Sequence, residues 1–181
     1  MRKINEIFYS LQGEGFHTGT PAVFVRFSGC NLKCPFCDTQ HEDGLLMSDD
    51  DIVAEVCRYP ATMVVLTGGE PSLWIDSSFI DRLHSVGKYV CIETNGTRPL
   101  PEGIDWVTCS PKQGGALKLT RMDEVKVVYE GQDLAPYEQL PAAHFFLQPC
   151  SCLNTAETAA CVMAHPRWRL SLQAHKLINI Q

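Results

Sequence analysis

Short apolar runs alternate with amphipathic stretches along most of the chain. Continuous apolar segments, rich in β-branched and aromatic residues, predict buried strands at 22–27, 62–66, 89–93, 105–109 and 143–147. Weaker patterns predict further strands at 3–9, 123–129 and 168–172. Helices are predicted at 49–58, capped by Ser48, at 77–86 and at 155–164. The segments 99–103 and 136–140 are too short for full helices.

These elements repeat as strand, loop and helix, and the polar motifs follow the strands at their carboxyl ends. Parallel α/β barrels keep their active sites at that edge. The 181 residues are too few for eight such units. We therefore predict one domain over residues 1–181, folded as an open partial (β/α) barrel of about six parallel strands with few helices. The thin helical layer leaves apolar surface exposed, which favours a homodimer.

The composition narrows the classes of function. A net charge of −6 and the lack of a lysine- and arginine-rich stripe argue against a nucleic-acid partner. No apolar run is long enough for a membrane span, so a small-molecule substrate is the default expectation. Nine cysteines, an odd number, in a chain without a secretory signal predict a reducing cytoplasm.

Most of the cysteines outside the segment 30–37 lie among apolar residues in the sequence. Cys57, Cys91, Cys109 and Cys161 are predicted to be small buried hydrophobic residues in helices or strands. The pair Cys150 and Cys152 could bind metal or oxidise, but two ordinary thiols are the simpler interpretation.

The most informative stretch is the loop after strand 22–27, where Cys30, Cys34 and Cys37 fall within eight positions. Thiolates suit zinc or iron–sulfur clusters, and four of them normally complete a site. No fourth cysteine is close in the sequence. A four-iron cluster held by three cysteines leaves one iron open to a small molecule, which is a catalytic arrangement. A zinc site with a distant fourth ligand and a redox thiol pair are the alternatives.

Three further features mark a ligand site. Gly68 and Gly69 at a strand end let the backbone approach a ligand, and the Glu70 carboxylate beside them can bind an ammonium group. The loop 11–15 is also punctuated by glycines. Arg26 interrupts an apolar strand and needs an anionic partner, either a substrate or a structural carboxylate.

The Cys-x3-Cys-x2-Cys spacing, with an aromatic residue before the last cysteine and Gly-Gly-Glu-Pro downstream, resembles the radical S-adenosylmethionine enzymes. The resemblance implies a 4Fe-4S cluster on Cys30, Cys34 and Cys37, with S-adenosylmethionine on the open iron. An electron from the cluster cleaves the sulfonium to give a 5′-deoxyadenosyl radical. The cofactor-binding residues that it implies are Phe36, Gly69, Glu70, Ser110, Pro111, Lys112 and Gln148.

A narrower resemblance covers nearly the whole chain. Residues 10–15, 37–39, 110–112, 148–149 and 172–176 are similar to the 7-carboxy-7-deazaguanine synthase family. Members convert 6-carboxy-5,6,7,8-tetrahydropterin to 7-carboxy-7-deazaguanine with loss of ammonia, a step towards queuosine. The resemblance implies a magnesium ion at Thr39 and an electron donor such as flavodoxin or ferredoxin. The substrate-binding residues that it implies are Leu11, Gln12, Gly13, Glu14, Arg26, Thr67, His175 and Gln181.

The chain departs from that family at Cys150-Ser151 and over its last residues, 177–181. Two other functions are alternatives. A glycyl-radical enzyme activase is disfavoured by the glycine-rich loop 11–15 and by the Leu-Gln-x-His-Lys pattern at 172–176. A non-catalytic metal-binding module is disfavoured by the Gly-Gly-Glu-Pro motif.

Overall fold

The computed structural model describes residues 1–35, 37 and 43–181. Within these residues the chain forms nine strands: β1 (Arg2–Leu11), β2 (Pro21–Phe27), β3 (Leu45–Met47), β4 (Met63–Gly68), β5 (Tyr89–Thr94), β6 (Trp106–Cys109), β7 (Glu124–Tyr129), β8 (His144–Pro149) and β9 (Arg169–Leu170). The α-helices are α1 (Asp49–Cys57), α2 (Ser77–Ser85), α3 (Ala135–Glu138), α4 (Thr155–Ala164) and α5 (Ala174–Ile178). Short 3-10 helices cover Pro71–Leu73 and Cys150–Cys152.

All the strands belong to one sheet, in the order β3-β1-β2-β4-β5-β6-β7-β8-β9. From β2 to β9 the neighbours run parallel, whereas β1 is antiparallel to both β2 and β3. Among the described residues the edge strands β3 and β9 do not pair, so the barrel stays open. The predicted open partial barrel with few helices is therefore confirmed. The sequence pattern missed the short edge strand β3 and the five-residue helix α5.

Local capping explains where the first two helices begin. Ser48 accepts a hydrogen bond from the backbone N–H of Asp51, and the Asp51 carboxylate accepts one from the Ser48 backbone in return. Asp76 caps α2 by accepting from the N–H of Phe79 at 2.9 Å. The buried guanidinium of Arg2 pairs with Asp49 at 2.8 Å and Asp76 at 3.1 Å, which ties β1 to the starts of both helices.

Strand alternation divides the apolar side chains between the two faces of the sheet. The larger core lies on the outer face, where α1 and α2 pack on residues such as Val25, Leu66 and Ile92. A smaller apolar cluster forms on the inner face from Phe8, Phe24 and their neighbours. Closer to the carboxyl ends of the parallel strands, the inner face becomes polar. It carries Arg26 on β2, Thr67 on β4, Glu93 on β5, Lys126 on β7 and Gln148 on β8.

An aromatic layer covers the amino-terminal side of this inner face. The segment 12–20 crosses the sheet there, and the Phe16 ring packs on Trp106 and His144 with centroid distances of 4.8 and 4.5 Å. Gly15 makes the crossing possible. It has a φ of +66°, and a Cβ there would lie 2.1 Å from Glu124 Oε1. We refer to Phe16, Trp106 and His144 as the aromatic layer.

The cysteines outside the cluster loop divide into buried and accessible ones. Cys91 and Cys109 are buried, as predicted, and burial raises the pKa of the Cys91 and Cys109 thiols, to about 12 for Cys109. The prediction is wrong for Cys57, which is exposed, and Cys161 is only half-buried. Helix α1 buries Ile52 and Val56, so its next residue, Cys57, points away from the sheet.

Candidate active site

A cavity of about 630 Å³ lies at the carboxyl ends of the parallel strands. Parallel α/β barrels place their ligand sites at this edge. Most of the predicted site residues line it: Leu11, Gln12, Gly13, Glu14, Arg26, Cys30, Cys34, Cys37, Thr67, Gly69, Ser110, Lys112, Gln148, His175 and Gln181. Glu70 and Pro111 are buried and do not line it. Phe36 and Thr39 lie outside the described residues, so their roles stay predictions.

The three motif cysteines border the same cavity from one loop. The backbone N–H of Leu32 donates to Cys30 Sγ at 3.4 Å, and that of Cys37 donates to the Cys34 carbonyl at 3.2 Å. Burial raises the pKa of the Cys30 thiol, and the charges of Glu70 and the two neighbouring cysteines raise it further, against the lowering effect of the Leu32 hydrogen bond. A metal bound to these sulfurs would hold them as thiolates.

This donor set fits an iron–sulfur cluster better than a single ion. Three soft sulfur ligands stand on one wall of a cavity large enough for a small molecule on the remaining iron. Within residues 1–35, 37 and 43–181, no three His, Cys, Asp or Glu side chains are arranged to hold one metal ion.

Gly69, the first residue after β4, packs directly against the start of the cysteine loop. A Cβ on Gly69 would lie 2.1 Å from the Gly29 carbonyl oxygen, so only glycine fits there. The N–H of Gly69 donates to the Phe27 carbonyl at 3.0 Å, and the N–H of Glu70 donates to the Gly29 carbonyl at 2.9 Å. These contacts place the Gly-Gly-Glu-Pro backbone directly against the residue that precedes Cys30.

The Glu70 carboxylate faces the protein interior. It is fully buried; Oε1 accepts from the Ser72 N–H at 3.1 Å and from Thr94 Oγ1 at 2.7 Å, and Oε2 accepts from the Asn95 N–H at 2.7 Å. The predicted contact of this side chain with a cofactor ammonium stays a prediction. In this structure the motif presents Gly68 and Gly69 to the cavity instead.

A lysine and two carboxylates form the floor of the cavity. Lys126 Nζ lies 2.5 Å from Glu14 Oε2 and 3.1 Å from Glu93 Oε1, and its side chain is only 6% exposed. Burial would lower the pKa of Lys126, but Glu14, Glu93 and Glu124 raise it. Burial would likewise raise the pKa of Glu14, but Lys126 and the hydrogen bond from Gln173 lower it to about 2. Both partners of the pair are therefore charged.

Neutral donors complete the floor. Gln12 Nε2 donates to Glu93 Oε1 and Thr67 Oγ1 donates to Glu93 Oε2, both at 3.1 Å. Sequence reasoning missed Glu93 and Lys126, although the signal was present. Each is a charged residue inside a buried strand, the feature that singled out Arg26.

Comparison with known proteins agrees with this geometry. The family model of the radical SAM superfamily matches residues 24–124. The 7-carboxy-7-deazaguanine synthase of Bacteroides thetaiotaomicron is 80% identical, with all of both chains covered. That of Nitratidesulfovibrio vulgaris is 43% identical, covering 98% of each. This chain belongs to the 7-carboxy-7-deazaguanine synthase family. The crystal structure of QueE from Escherichia coli matches with a TM-score of 0.78 at 32% identity, covering 96% of this chain and 94% of that one.

The cations of this family member are distributed around the cavity. Arg26 Nε pairs with Glu6 Oε1 at 2.7 Å, so Arg26 has a structural carboxylate partner and also lines the cavity. Lys112 Nζ donates to Ser110 Oγ at 2.7 Å, and burial together with the charge of Lys126 lowers the pKa of Lys112. The basic side chains of Arg26 and Lys112 therefore line the cavity at two separate places.

The carboxyl-terminal segment closes one side of the family's site. The N–H of Ala174 donates to the Gly13 carbonyl at 2.9 Å, and a Cβ on Gly13 would lie 2.2 Å from His175 Nδ1. The loop 11–15 and α5 are thus packed too closely for any residue but glycine at position 13. Gln181 Nε2 donates to Glu6 Oε2 at 2.9 Å, which brings the last residue to the carboxylate that pairs with Arg26.

Proposed function

We propose that this protein is a radical S-adenosylmethionine lyase that converts 6-carboxy-5,6,7,8-tetrahydropterin to 7-carboxy-7-deazaguanine with loss of ammonia, towards queuosine and related 7-deazapurines. The observation that carries the proposal is the convergence of the three-cysteine loop and the residues implied for substrate on one cavity. Membership of the 7-carboxy-7-deazaguanine synthase family at 80% identity supports it.

The cysteine side of the cavity is the place for the cofactors. Cys30, Cys34 and Cys37 would hold the 4Fe-4S cluster. Gly69 and the residues Ser110, Lys112 and Gln148 would surround S-adenosylmethionine, with Pro111 shaping the loop between two of them. When bound, the cluster supplies the electron that cleaves the cofactor reductively.

The floor and the Arg26 side suit the pterin. Glu14 and Glu93 offer carboxylate oxygens that can accept hydrogen bonds from the N–H groups of a pterin ring. Arg26 can bind the substrate carboxylate, which would replace Glu6 as the partner of the guanidinium. Thr67 and His175 line the cavity nearby and can fix the orientation of the ring. The protein's part in the reaction is thus binding, orientation and exclusion of water.

The proposal also covers the electron donor, the cellular location and the oligomeric state of the protein. An electron donor such as flavodoxin or ferredoxin in the cytoplasm would deliver the electron. No helix among the described residues is long and apolar enough to cross a membrane. Exposed apolar side chains on edge strand β3, with Leu45 and Leu46 exposed to 76% and 63%, support a homodimer.

The first test uses anaerobically reconstituted protein with the carboxytetrahydropterin, S-adenosylmethionine and reductant. Mass analysis should show 7-carboxy-7-deazaguanine, and wild type should hold about one four-iron cluster per chain. Cys30→Ala, Cys34→Ala and Cys37→Ala should each lose the cluster and the product. Cys57→Ala is the matched control, because Cys57 is exposed and far from the motif loop in sequence. Stoichiometric zinc with no iron uptake would refute the proposal.

A magnesium ion at Thr39 is the second testable part. Magnesium takes oxygen ligands and is typically held by few protein groups together with substrate and water. A neutral hydroxyl is a weak ligand, so we expect the ion to bind fully only with the substrate carboxylate present. Thr39→Ala should keep the cluster and bind S-adenosylmethionine but lose most of the stimulation by magnesium. Equal stimulation of wild type and variant in a magnesium titration would remove Thr39 from the site.

A further inference from the structure

A closed ring of hydrogen bonds lies beside Cys30. Asn95 Nδ2 donates to Asn31 Oδ1 at 3.0 Å, and Asn31 Nδ2 donates to Thr97 Oγ1 at 2.8 Å. Thr97 Oγ1 in turn donates to Asn95 Oδ1 at 2.7 Å, which closes the ring. The same Asn95 Nδ2 also faces Cys30 Sγ at 4.0 Å. A neutral amide therefore stands next to a sulfur that the proposed function gives to the cluster.

The orientation of the Asn95 amide is fixed by a group that can only donate. The backbone N–H of Thr97 donates to Asn95 Oδ1 at 3.0 Å. This contact forces the carbonyl oxygen of the amide towards Thr97 and its NH₂ group towards Asn31 and Cys30. One amide hydrogen satisfies Asn31, and the other is left to point at the sulfur.

The amide is also held rigidly and away from bulk water. Asn95 is 6% exposed and Thr97 is 9% exposed. The N–H of Asn95 is anchored on the buried carboxylate of Glu70, whose own N–H is bonded to Gly29, next to Cys30. The donor and the sulfur thus belong to one connected backbone frame, and a hydrogen bond in such a dry place is stronger than one in water.

We propose that Asn95 sets the reduction potential of the cluster by donating an amide hydrogen bond to the Cys30 sulfur. Reduction by one electron makes the cluster and its thiolate ligands more negative, and a donor at sulfur stabilises that added charge. Asn95 therefore raises the potential and makes the cluster easier for a biological donor to reduce. The inference rests on the proposed function, because it requires the cluster on Cys30.

The test measures the midpoint potential of the cluster in anaerobically reconstituted protein without S-adenosylmethionine, by redox titration followed by electron paramagnetic resonance. Asn95→Ala removes the donor, and Thr97→Val keeps the donor but removes the hydroxyl from the ring. For Asn95→Ala we expect the ratio of reduced to oxidised cluster at a fixed potential to fall about tenfold, which is about 59 mV for one electron. Thr97→Val should give a smaller fall. Asn95→Asp, with a carboxylate facing the sulfur, should give a larger one.

Gln139→Glu is the matched control for added charge, because it makes the same amide-to-acid change at an exposed position. Its potential should equal that of wild type. A full complement of iron with an unchanged potential in Asn95→Ala would overturn the inference and leave the proposed function intact. Loss of the cluster in both Asn95 variants would assign Asn95 a purely structural role and also overturn the inference. Failure of wild type to form the cluster would instead overturn the proposed function.

Discussion

Glu70 and Glu14 are carboxylates next to the same cavity, yet the protein holds them in opposite ways. Glu70 is fully buried and is satisfied by two backbone N–H groups and one hydroxyl. Glu14 lines the cavity and is held by two side chains, the Lys126 ammonium and the Gln173 amide. Backbone donors fix a carboxylate as part of the fold, whereas side-chain partners leave oxygens that a ligand can share.

The largest change in stability should come from removing the Lys126 ammonium from its two carboxylate partners. Lys126→Met leaves Glu14 and Glu93 without their buried cation, and removing one partner of a buried pair costs about 3–5 kcal/mol of unfolding free energy. Denaturant unfolding of the variant measures this loss. Lys118→Met is the control, because Lys118 is exposed and should change stability little. A loss below about 1 kcal/mol would show that the floor tolerates uncompensated carboxylates.

Stability should respond less to a change at Glu70, whose hydrogen-bond donors are all neutral. Glu70→Gln replaces an acceptor-only group by one with a donor face, so at least one of the three donors around it loses its partner. We expect a loss of about 1.5–3 kcal/mol in unfolding free energy. S-adenosylmethionine affinity of the folded variant should change less than about tenfold. Glu102→Gln, at an exposed position, is the control. A large loss of affinity at unchanged stability would instead support the predicted contact of Glu70 with the cofactor.

The third effect is a change of slope and should appear only in acid. The pKa of Glu14 is lowered from its ordinary 4.5 to about 2, so its contribution to stability is complete above pH 4.5 and is lost as the pH falls towards 2. Glu14→Gln should therefore flatten the pH dependence of the unfolding free energy of the apo-protein across that window. Urea unfolding at several pH values compares the two slopes. If the unfolding free energies of wild type and variant changed with pH at the same rate between pH 4.5 and 2, Glu14 would not take up a proton in that range.

The parts of the site that the sequence predicts are those at strand ends. At these strand ends, glycines, cysteines and polar residues interrupt a strong apolar pattern, so they can be recognised from the sequence, as at Cys30 and Gly69. Glu93 and Lys126 were missed because their partners are far apart in the chain. Lys126 meets Glu14, 112 positions away, because the segment 12–20 crosses the inner face of the sheet. The wrong prediction for Cys57 has a simpler cause. An apolar neighbourhood in sequence is not an apolar face of a helix.

The fold shows the same division. The parallel strands and the helices α1, α2 and α4 follow from local periodicity, which short segments carry by themselves, and α1 and α2 also have side-chain caps. Strand β3 has three residues and α5 has five, too few for any period to be recognised. The direction of Glu70 likewise depends on Thr94 and Asn95, which come from a different strand end.

The aromatic layer affects how a substrate enters the cavity and how a product leaves it. Because Phe16, Trp106 and His144 cover the amino-terminal side of the inner face, the cavity is a cup with its mouth at the carboxyl ends of the strands. For the part of the cavity that the described residues line, a substrate approaches the floor at Glu14 and Glu93 from the carboxyl ends of the strands. A product held at that floor would leave towards the same strand ends, so binding of the next substrate would follow its release.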